Sequence, residues 1–178
     1  MKIRTGFVSN SSSSSFVVAF PHKPKNIKDL KEMMFGKQEW HYTGRYYDNQ
    51  DVSTQTISEN VFKKIEKKAT KKEILESISH GWFSSYMDFL PGCTSCYDDI
   101  EYDNLDRKDK DYEKKKDALY KKYDIENDKR AKDIAESFMK SNKDKYITVM
   151  TFSDNDGEEV EEHSEIFKRV SSIKTSYH

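Results

Sequence analysis

Residues 93–156 contain neither glycine nor proline. Because these two residues are the usual interruptions of a helix interior, their absence permits an unusually long helix. Seven apolar or aromatic residues in this stretch follow one another at steps of 7, 7, 4, 8, 3 and 4 residues, which average close to the helical period. They are Leu105, Tyr112, Leu119, Tyr123, Ala131, Ile134 and Phe138. So narrow a stripe among charged residues predicts one long helix, or a helical hairpin broken near Asp124. Only one side of it is expected to pack against other parts of the protein.

A continuous helix from Leu105 to Met139 would extend roughly 50 Å, which is longer than a small domain is wide. We therefore predict that residues 102–142 form a projecting helical arm. Residues 1–101 and 143–178 are predicted to form a single α+β domain, with a small antiparallel or mixed sheet packed by helices. A chain of 178 residues fits one such domain.

The composition agrees with a modest core that carries a polar extension. Charged residues make up 35% of the chain and hydrophobic residues 34%, against about 25% and 45–50% in average globular domains. The net charge of −1 gives no indication of nucleic-acid binding, which usually requires a strongly basic surface. The sequence lacks an apolar run long enough to span a membrane and has two cysteines. These features predict a cytoplasmic protein that does not associate with membranes.

A run of five serines, residues 11–15, lies between two apolar segments near the N-terminus. Residues 16–20 are predicted to form a short buried strand and residues 3–8 a second, shorter strand. A loop between them would gather backbone N–H groups and hydroxyls in a concavity that can bind a phosphate or carboxylate. A purely structural loop and a phosphorylation site are alternative interpretations. The candidate phosphate-binding residues are Ser9, Asn10, Ser11, Ser12 and Ser13.

Three short amphipathic helices are predicted from their end signals. The first begins after Asn26, a good N-cap residue, and ends near Gly36. Each of the next two begins with a threonine and a glutamate three residues later, the spacing of a capping box, and the third is predicted to stop at Gly81. The two capping pairs are Thr56 with Glu59 and Thr70 with Glu73.

An aromatic and polar stretch, residues 38–50, separates the first two of these helices. It includes Trp40, Tyr42 and Arg45. Aromatic rings beside a guanidinium are enriched at protein interfaces. The stretch therefore predicts either a binding surface or a hairpin that packs over the core.

Two groups of residues are candidate metal ligands. Cys93 and Cys96 have the spacing of half a zinc site, which His41 or His80 would complete only if the chain folded back; ordinary thiols in a turn are the alternative. A predicted strand over residues 146–152 leads into an acidic turn, and carboxylates with imidazole suit several divalent metals. A plain hairpin turn needs no metal. The candidates near this turn and at the chain end are Asp154, Asp156, His163 and His178.

The two chain ends carry a resemblance to a known set of proteins. Residues 4–16, Arg-Thr-Gly-Phe-Val-Ser-Asn-Ser through Phe16, resemble the N-terminal signature of a family of small uncharacterised bacteriophage and bacterial proteins. Residues 152–157, with Glu162-His163 and the closing Ser176-Tyr177-His178, are similar to the end of the same family. The resemblance implies a phage-type protein of the host cytoplasm and implies no reaction.

Two functions follow as hypotheses. The first is a non-catalytic protein that binds a host or self protein through the charged helical arm and the aromatic surface. The second is a nucleotide- or phosphate-binding protein, with enzyme activity left open, in which the serine loop and the acidic turn form one site with a divalent metal. The hypotheses differ in geometry, because the second requires the serine run and the acidic turn to meet.

Overall fold

The computed structural model describes residues 13–42, 51–80, 104–153 and 164–177, which form an α+β fold. The strands are β1 (Ser13–Phe20), β2 (Trp40–Tyr42), β3 (Asp51–Ser53), β4 (Tyr146–Ser153) and β5 (Ser171–Tyr177). The helices are α1 (Ile27–Phe35), α2 (Thr54–Lys64), α3 (Lys71–His80) and α4 (Tyr112–Ser141), with a 3₁₀ helix at Ser164–Phe167. The predicted α+β class, with antiparallel sheets, is confirmed.

Strand β1 is the centre of a three-stranded sheet with the order β4-β1-β5, and both of its neighbours run antiparallel to it. Its residues 16–20 are all apolar and at most 1% exposed. A strand covered on both faces needs apolar residues at every position and not at alternate ones. The predicted short buried strand is therefore confirmed, and its continuous apolar run is explained by helices on both sides.

The two faces of β1 support two separate hydrophobic clusters. Phe16, Val18 and Phe20 pack in the cluster that contains apolar residues of α1, α2 and the 3₁₀ helix. Val17 and Ala19 point the other way, into the cluster formed with α3 and α4. The domain thus has three layers, with the sheet between one pair of helices and the other.

The segment between α2 and α3 passes along the outer edge of β4. The Ala69 N–H donates to the Ile147 carbonyl at 2.8 Å, and Thr148 Oγ1 donates to the Lys67 carbonyl at 3.2 Å. An edge strand otherwise presents unpaired backbone groups. This segment satisfies part of that edge and carries the chain from one face of the sheet to the other.

The serine run enters the sheet earlier than predicted. Strand β1 begins at Ser13, and the predicted boundary at Phe16 was wrong. Ser13, Ser14 and Ser15 are each paired with residues of both β4 and β5, because the flanking strands continue to this level and supply partners on both sides. The predicted strand over residues 3–8, and Ser9 to Ser12, lie outside the described residues.

Helix α1 has the predicted ends. The Asn26 side chain accepts a hydrogen bond from the Asp29 N–H at 2.9 Å, and the Gly36 N–H donates to the Glu32 carbonyl at 2.9 Å. Gly36 has φ of 62° and ψ of −122°, a combination that side chains with a Cβ rarely adopt. Glycine at this position is therefore required by the backbone.

The capping box predicted from Thr56 and Glu59 was wrong. Helix α2 begins at Thr54 with Ser53 as its N-cap, and Ser53 Oγ accepts from the Gln55 N–H at 3.2 Å. Strand β3 ends at Ser53 and passes directly into the helix, so the start is fixed by the hairpin and lies before Thr56. Glu59 instead accepts from Gln55 Nε2 at 2.9 Å.

Helix α4 is continuous for 30 residues, about 45 Å at 1.5 Å per residue. It begins at Tyr112 and not at Leu105, since aspartate side chains bind backbone N–H groups in the preceding turns, as Asp109 does for Asp111 at 2.9 Å. In its second half, Ala131 and Ala135 are fully buried in the cluster shared with α3 and β1. That half belongs to the core, in contrast to the arm predicted over residues 102–142.

Candidate functional site

A cleft and an exposed surface in the described part of the chain are the candidates for holding a ligand or a partner. The cleft, named the serine cleft here, has a volume of about 380 Å³ and lies between strands β1 and β4, the α2–α3 segment and helix α3. It is lined by Ser15, Glu66, Lys67, Ala69, Glu73, Glu76, Ser77, Val149 and Thr151. Its volume is within the usual range of small-molecule sites.

Two hydroxyl groups from paired strands form one wall of the serine cleft. The antiparallel register places Ser15 directly opposite Thr151, and their side-chain oxygens are 2.8 Å apart. A hydroxyl has one donor and two acceptor sites, so each of these oxygens can take part in more than one hydrogen bond. Ser15 is the last residue of the serine run and is 2% exposed.

Ser77 supplies a third hydroxyl to the cleft, from helix α3. The side chain lies on the buried face of the helix with Ile74 and Ile78, and the residue is 7% exposed. Among the described residues, Ser77 Oγ has no hydrogen-bond partner although it is buried. Buried hydroxyls almost always have one, because leaving the group unsatisfied costs about 1–3 kcal/mol.

The rim of the cleft is held by an ion pair at the start of α3. Lys67 Nζ lies 2.6 Å from Glu73 Oε1, and Glu73 Oε2 accepts from the Thr70 N–H at 2.8 Å. The Glu73 N–H in turn donates to Thr70 Oγ1 at 3.2 Å. The capping box predicted from Thr70 and Glu73 is therefore confirmed.

These contacts set the protonation of Glu73. The hydrogen bond from Lys67 is the main cause and the bonds from Thr70 follow; together they lower the Glu73 pKa from 4.5 to about 2. The same ion pair raises the pKa of Lys67. Because the folded-state pKa of Glu73 is the lower one, its carboxylate stabilises the fold above about pH 4.5, and this contribution is lost as the pH falls towards 2.

We expect an NMR titration of the Glu73 side-chain carboxyl to give a midpoint near pH 2. Replacing Lys67 with Met should raise that midpoint towards 4.5, because the substitution removes the strongest donor and keeps the aliphatic stem. A midpoint near 4.5 in the unmodified protein would contradict both the ion pair and the capping geometry, and a midpoint that Lys67→Met leaves unchanged would contradict the ion pair.

The charge of the cleft does not suit an anion. Its lining includes three carboxylates, on Glu66, Glu73 and Glu76, and one ammonium, on Lys67. Glu73 is paired with Lys67, and Glu76 with Lys72 at 3.6 Å. Phosphate binding normally uses N–H groups or cations that oppose the ligand charge. The described end of the serine run, at Ser15, therefore lies beside acidic side chains.

The sheet brings the two chain ends together. Ser13 is paired with Ser153 on one side and with Tyr177 on the other. Asp154, Asp156, His163 and His178 themselves lie outside the described residues, and Ser9 to Ser12 do as well, so the proposed phosphate and metal residues remain predictions. Ser153 and Tyr177, which precede Asp154 and His178 in sequence, nonetheless flank Ser13 directly.

The zinc alternative depends on residues that the structure describes only in part. Cys93 and Cys96 lie outside the described ranges. His41 is 9% exposed, its ring lies 5.8 Å from that of Phe35, and burial lowers its pKa. Within the described ranges, no group of three or more His, Cys, Asp or Glu side chains is arranged to hold a metal ion.

The exposed surface, named the aromatic face here, is the outer side of the β2–β3 hairpin. Trp40 and Tyr42 are 58% and 60% exposed and lie on the same side of β2, because alternate residues of a strand share a face. His41 between them points inward. The prediction of a hairpin is confirmed, and its inward residues His41 and Val52 pack over the core.

Sequence reasoning placed Ser15 in the serine run and Glu73 in a capping box, but it selected neither as a site residue and did not find the other polar residues of the serine cleft. Thr151 lies within a predicted strand and Ser77 within a predicted helix, and the sequence assigned no role to either side chain. The signal for Ser77 was its spacing from Ile74 and Ile78, which places a hydroxyl on the apolar face of α3. Predicting that Ser77 and Thr151 line the same cleft would also require knowing that β1 pairs with β4, which is far away in sequence.

No protein-family model, curated protein or solved structure matches the chain. The resemblance of its two ends to phage and bacterial proteins therefore stays a prediction. No helix in the described ranges has the length and apolar character that crossing a membrane requires.

Proposed function

We propose that this protein is a non-catalytic binding module that recognises another protein through the aromatic face. The observation that carries the proposal is the paired exposure of Trp40 and Tyr42 on one side of a short hairpin. Tryptophan and tyrosine are enriched among the residues that dominate interface energetics, because each buries a large area at a small entropic cost.

The hairpin is held firmly against the domain. Thr54, the first residue of α2, donates from its backbone N–H to the Glu39 carbonyl at 2.9 Å and from its hydroxyl to the Gln38 carbonyl at 2.7 Å. His41 packs its ring near Phe35 on the inner side. A surface fixed in this way loses little conformational freedom on binding, which favours affinity.

The surroundings of the aromatic face indicate the chemistry of the partner. Glu39 precedes Trp40, and Asp51 is paired with Tyr42 across the hairpin; both acidic residues are exposed. Aromatic faces bordered by carboxylates suit arginine and lysine side chains, whose stems are apolar and whose cations interact with both groups. The proposed partner therefore presents a basic segment with apolar residues.

A second candidate, phosphate or nucleotide binding with a metal, has one observation in its favour. The pairing of Ser13 with Ser153 and Tyr177 supports a meeting of the serine run with the acidic turn. The negative charge beside Ser15 opposes it. We therefore prefer the protein-binding function.

The test compares the double variant Trp40→Ala/Tyr42→Ala with the unmodified protein as bait in a bacterial lysate, the source indicated by the resemblance to phage proteins. A captured partner is then purified and its Kd measured against both baits. We expect the double variant to bind at least about 30-fold more weakly, since losing one interface hot spot costs about 2 kcal/mol or more.

Ile125→Ala is the matched control, because Ile125 is 70% exposed on α4, away from the hairpin. It should leave the Kd unchanged. Equal binding by the double variant would contradict the proposal. A loss caused by Ile125→Ala instead would assign binding to the helix.

A further inference from the structure

We propose that the serine cleft and the adjoining outer edge of β4 bind an extended peptide segment. The segment adds to the sheet as a strand and places a neutral amide side chain, asparagine or glutamine, in the cleft. This site is separate from the aromatic face, and the proposal does not depend on the protein-binding function proposed for that face. It rests on the open edge of β4, on the buried hydroxyl of Ser77 and on the balance of charges around the cleft.

The outer edge of β4 has open backbone groups where it borders the cleft. In an antiparallel pair, the N–H and carbonyl groups of alternate residues point towards the partner strand, and those of the residues between point away from it. The Ile147 carbonyl points away from β1, because it accepts from the Ala69 N–H. The register with β1 is uninterrupted, so the backbone groups of Val149 and Thr151 also point outward. Both residues line the cleft, and no described residue bonds to these outward groups.

The protein's own chain already pairs with this edge next to the cleft. The segment between α2 and α3 bonds to β4 at Ile147 and Thr148 and then continues into α3. Beyond this contact, residues 149–153 of β4 extend the same edge, and Thr151 is exposed. An open edge is a template for a further strand. The open stretch of β4 therefore accommodates an extended peptide of about five residues, at one residue for each residue of β4.

The hydroxyl of Ser77 favours a polar side chain in the cleft. Ser77 lines the cleft and is 7% exposed, and among the described residues its Oγ has no hydrogen-bond partner. A serine in the neighbouring helix shows the alternative: Ser58, buried in α2, donates to the Thr54 carbonyl at 2.7 Å. Ser77 makes no such bond to its own helix, which leaves its hydroxyl available to a ligand. A side-chain amide has both donors and an acceptor, so it can satisfy this hydroxyl in either role.

The charges around the cleft favour a neutral ligand. Three lysines of the α2–α3 segment and the start of α3 each form an ion pair with a glutamate. The pairs are Lys67 with Glu73, Lys71 with Glu136 and Lys72 with Glu76, at 2.6, 3.1 and 3.6 Å. The remaining carboxylate of the lining also acts on one of these lysines, because Glu73 and, to a smaller extent, Glu66 raise the pKa of Lys67. A charged ligand would compete with these pairs, whereas an amide leaves them intact.

The experiment titrates the isotope-labelled full chain with the peptide acetyl-Thr-Val-Gln-Val-Thr-amide and follows the backbone amides by NMR. We expect saturable shifts that are largest at Val149 and Thr151. Peptides with glutamate or lysine in place of the glutamine should bind about tenfold more weakly, because each must compete with an existing ion pair. Acetylglutamine methylamide, which has the side chain without the strand, should not reach saturation.

Two N-methylated versions of the peptide test strand pairing without any change in the protein. Alternate residues of a strand direct their N–H groups to the same side. Methylation of the third and fifth residues, or of the second and fourth, therefore blocks only one side of the peptide. We expect one version to lose binding and the other to keep it. The same result for both versions, whether loss or retention, would contradict strand addition.

Two substitutions at Thr151 separate the backbone from the side chain. Thr151→Pro and Thr151→Val both remove the hydroxyl, but only proline removes the N–H. Because this N–H points away from β1, the hydrogen bonds between β1 and β4 remain in both variants. Thr151→Pro should weaken peptide binding at least about tenfold, and Thr151→Val less than about threefold.

Ser77→Ala tests the side-chain contact. It should weaken binding of the glutamine peptide about fivefold, the effect of one hydrogen bond, and Ser58→Ala should leave binding unchanged. Absence of saturable peptide binding, equal binding of acetylglutamine methylamide or tighter binding of a charged peptide would overturn the proposal. Unchanged binding in Thr151→Pro would also overturn it.

Discussion

Phe16→Ala is expected to lower the free energy of unfolding by about 4 kcal/mol, a large part of the 5–15 kcal/mol available to a typical domain. Phe16 is 1% exposed on the central strand. Its ring lies 5.8 Å from that of Phe152 in an edge-on arrangement and 5.1 Å from that of Phe167. The substitution thus removes contacts with β4 and with the 3₁₀ helix at once and leaves a cavity between them.

Chemical denaturation monitored by circular dichroism measures this effect. Tyr42→Ala is the matched control, because it also truncates an aromatic residue of a strand but one that is 60% exposed. It should change stability by less than about 0.5 kcal/mol. A loss of 1 kcal/mol or less for Phe16→Ala would show that β1 is not the centre of the core.

Ala135→Asp is expected to destabilise the fold by about 4 kcal/mol. Ala135 is fully buried in the cluster that α4 shares with α3 and β1. A carboxylate there would be removed from water without a cation or hydrogen-bond donor to compensate it. The size of the effect separates a helix that is part of the core from one that projects into solvent.

Ser137→Asp is the control for the same helix. Ser137 lies two residues further along α4 and is exposed, so an added carboxylate there stays hydrated and should change stability by less than about 0.5 kcal/mol. Equal denaturation midpoints for the two variants would mean that the second half of α4 makes no contact with the sheet. That result would restore the projecting arm.

The sequence predicted those elements whose signals are local. The continuous apolar run of β1 indicated a buried strand, and Asn26 with Gly36 marked both ends of α1. The pair Thr70 and Glu73 marked the start of α3. Each signal lies within a few residues of the feature it predicts, so no knowledge of the tertiary fold was needed.

The features that were missed depend on tertiary contacts. Strand β5 has Ile173 as its principal apolar residue among serines, threonine and lysine, and it is a strand because β1 provides an edge to pair with. The start of α2 at Thr54 depends on the hairpin that precedes it. The start of β1 at Ser13 depends on both neighbouring strands. Local propensity is too weak to fix such boundaries.

The serine cleft likewise combines one feature that a local sequence signal predicts with another that depends on the tertiary fold. Its ion pair lies within one short segment and a capping rule predicts part of it. Its hydroxyl wall joins Ser15 to Thr151, which are 136 residues apart, and adds Ser77 from a helix. No spacing rule connects these positions, so the site becomes visible only when the register of the sheet is known.

The measurement that tests the central claim most directly is the fluorescence of Trp40 in a Trp82→Phe variant, where it is the remaining tryptophan of two. The proposal of an aromatic binding face predicts emission typical of an indole in water, full quenching by acrylamide in the free protein, and a blue shift with protection when the partner binds. Emission that is already blue-shifted and protected in the free protein would contradict it, because Trp40 would then be covered and unable to receive a partner.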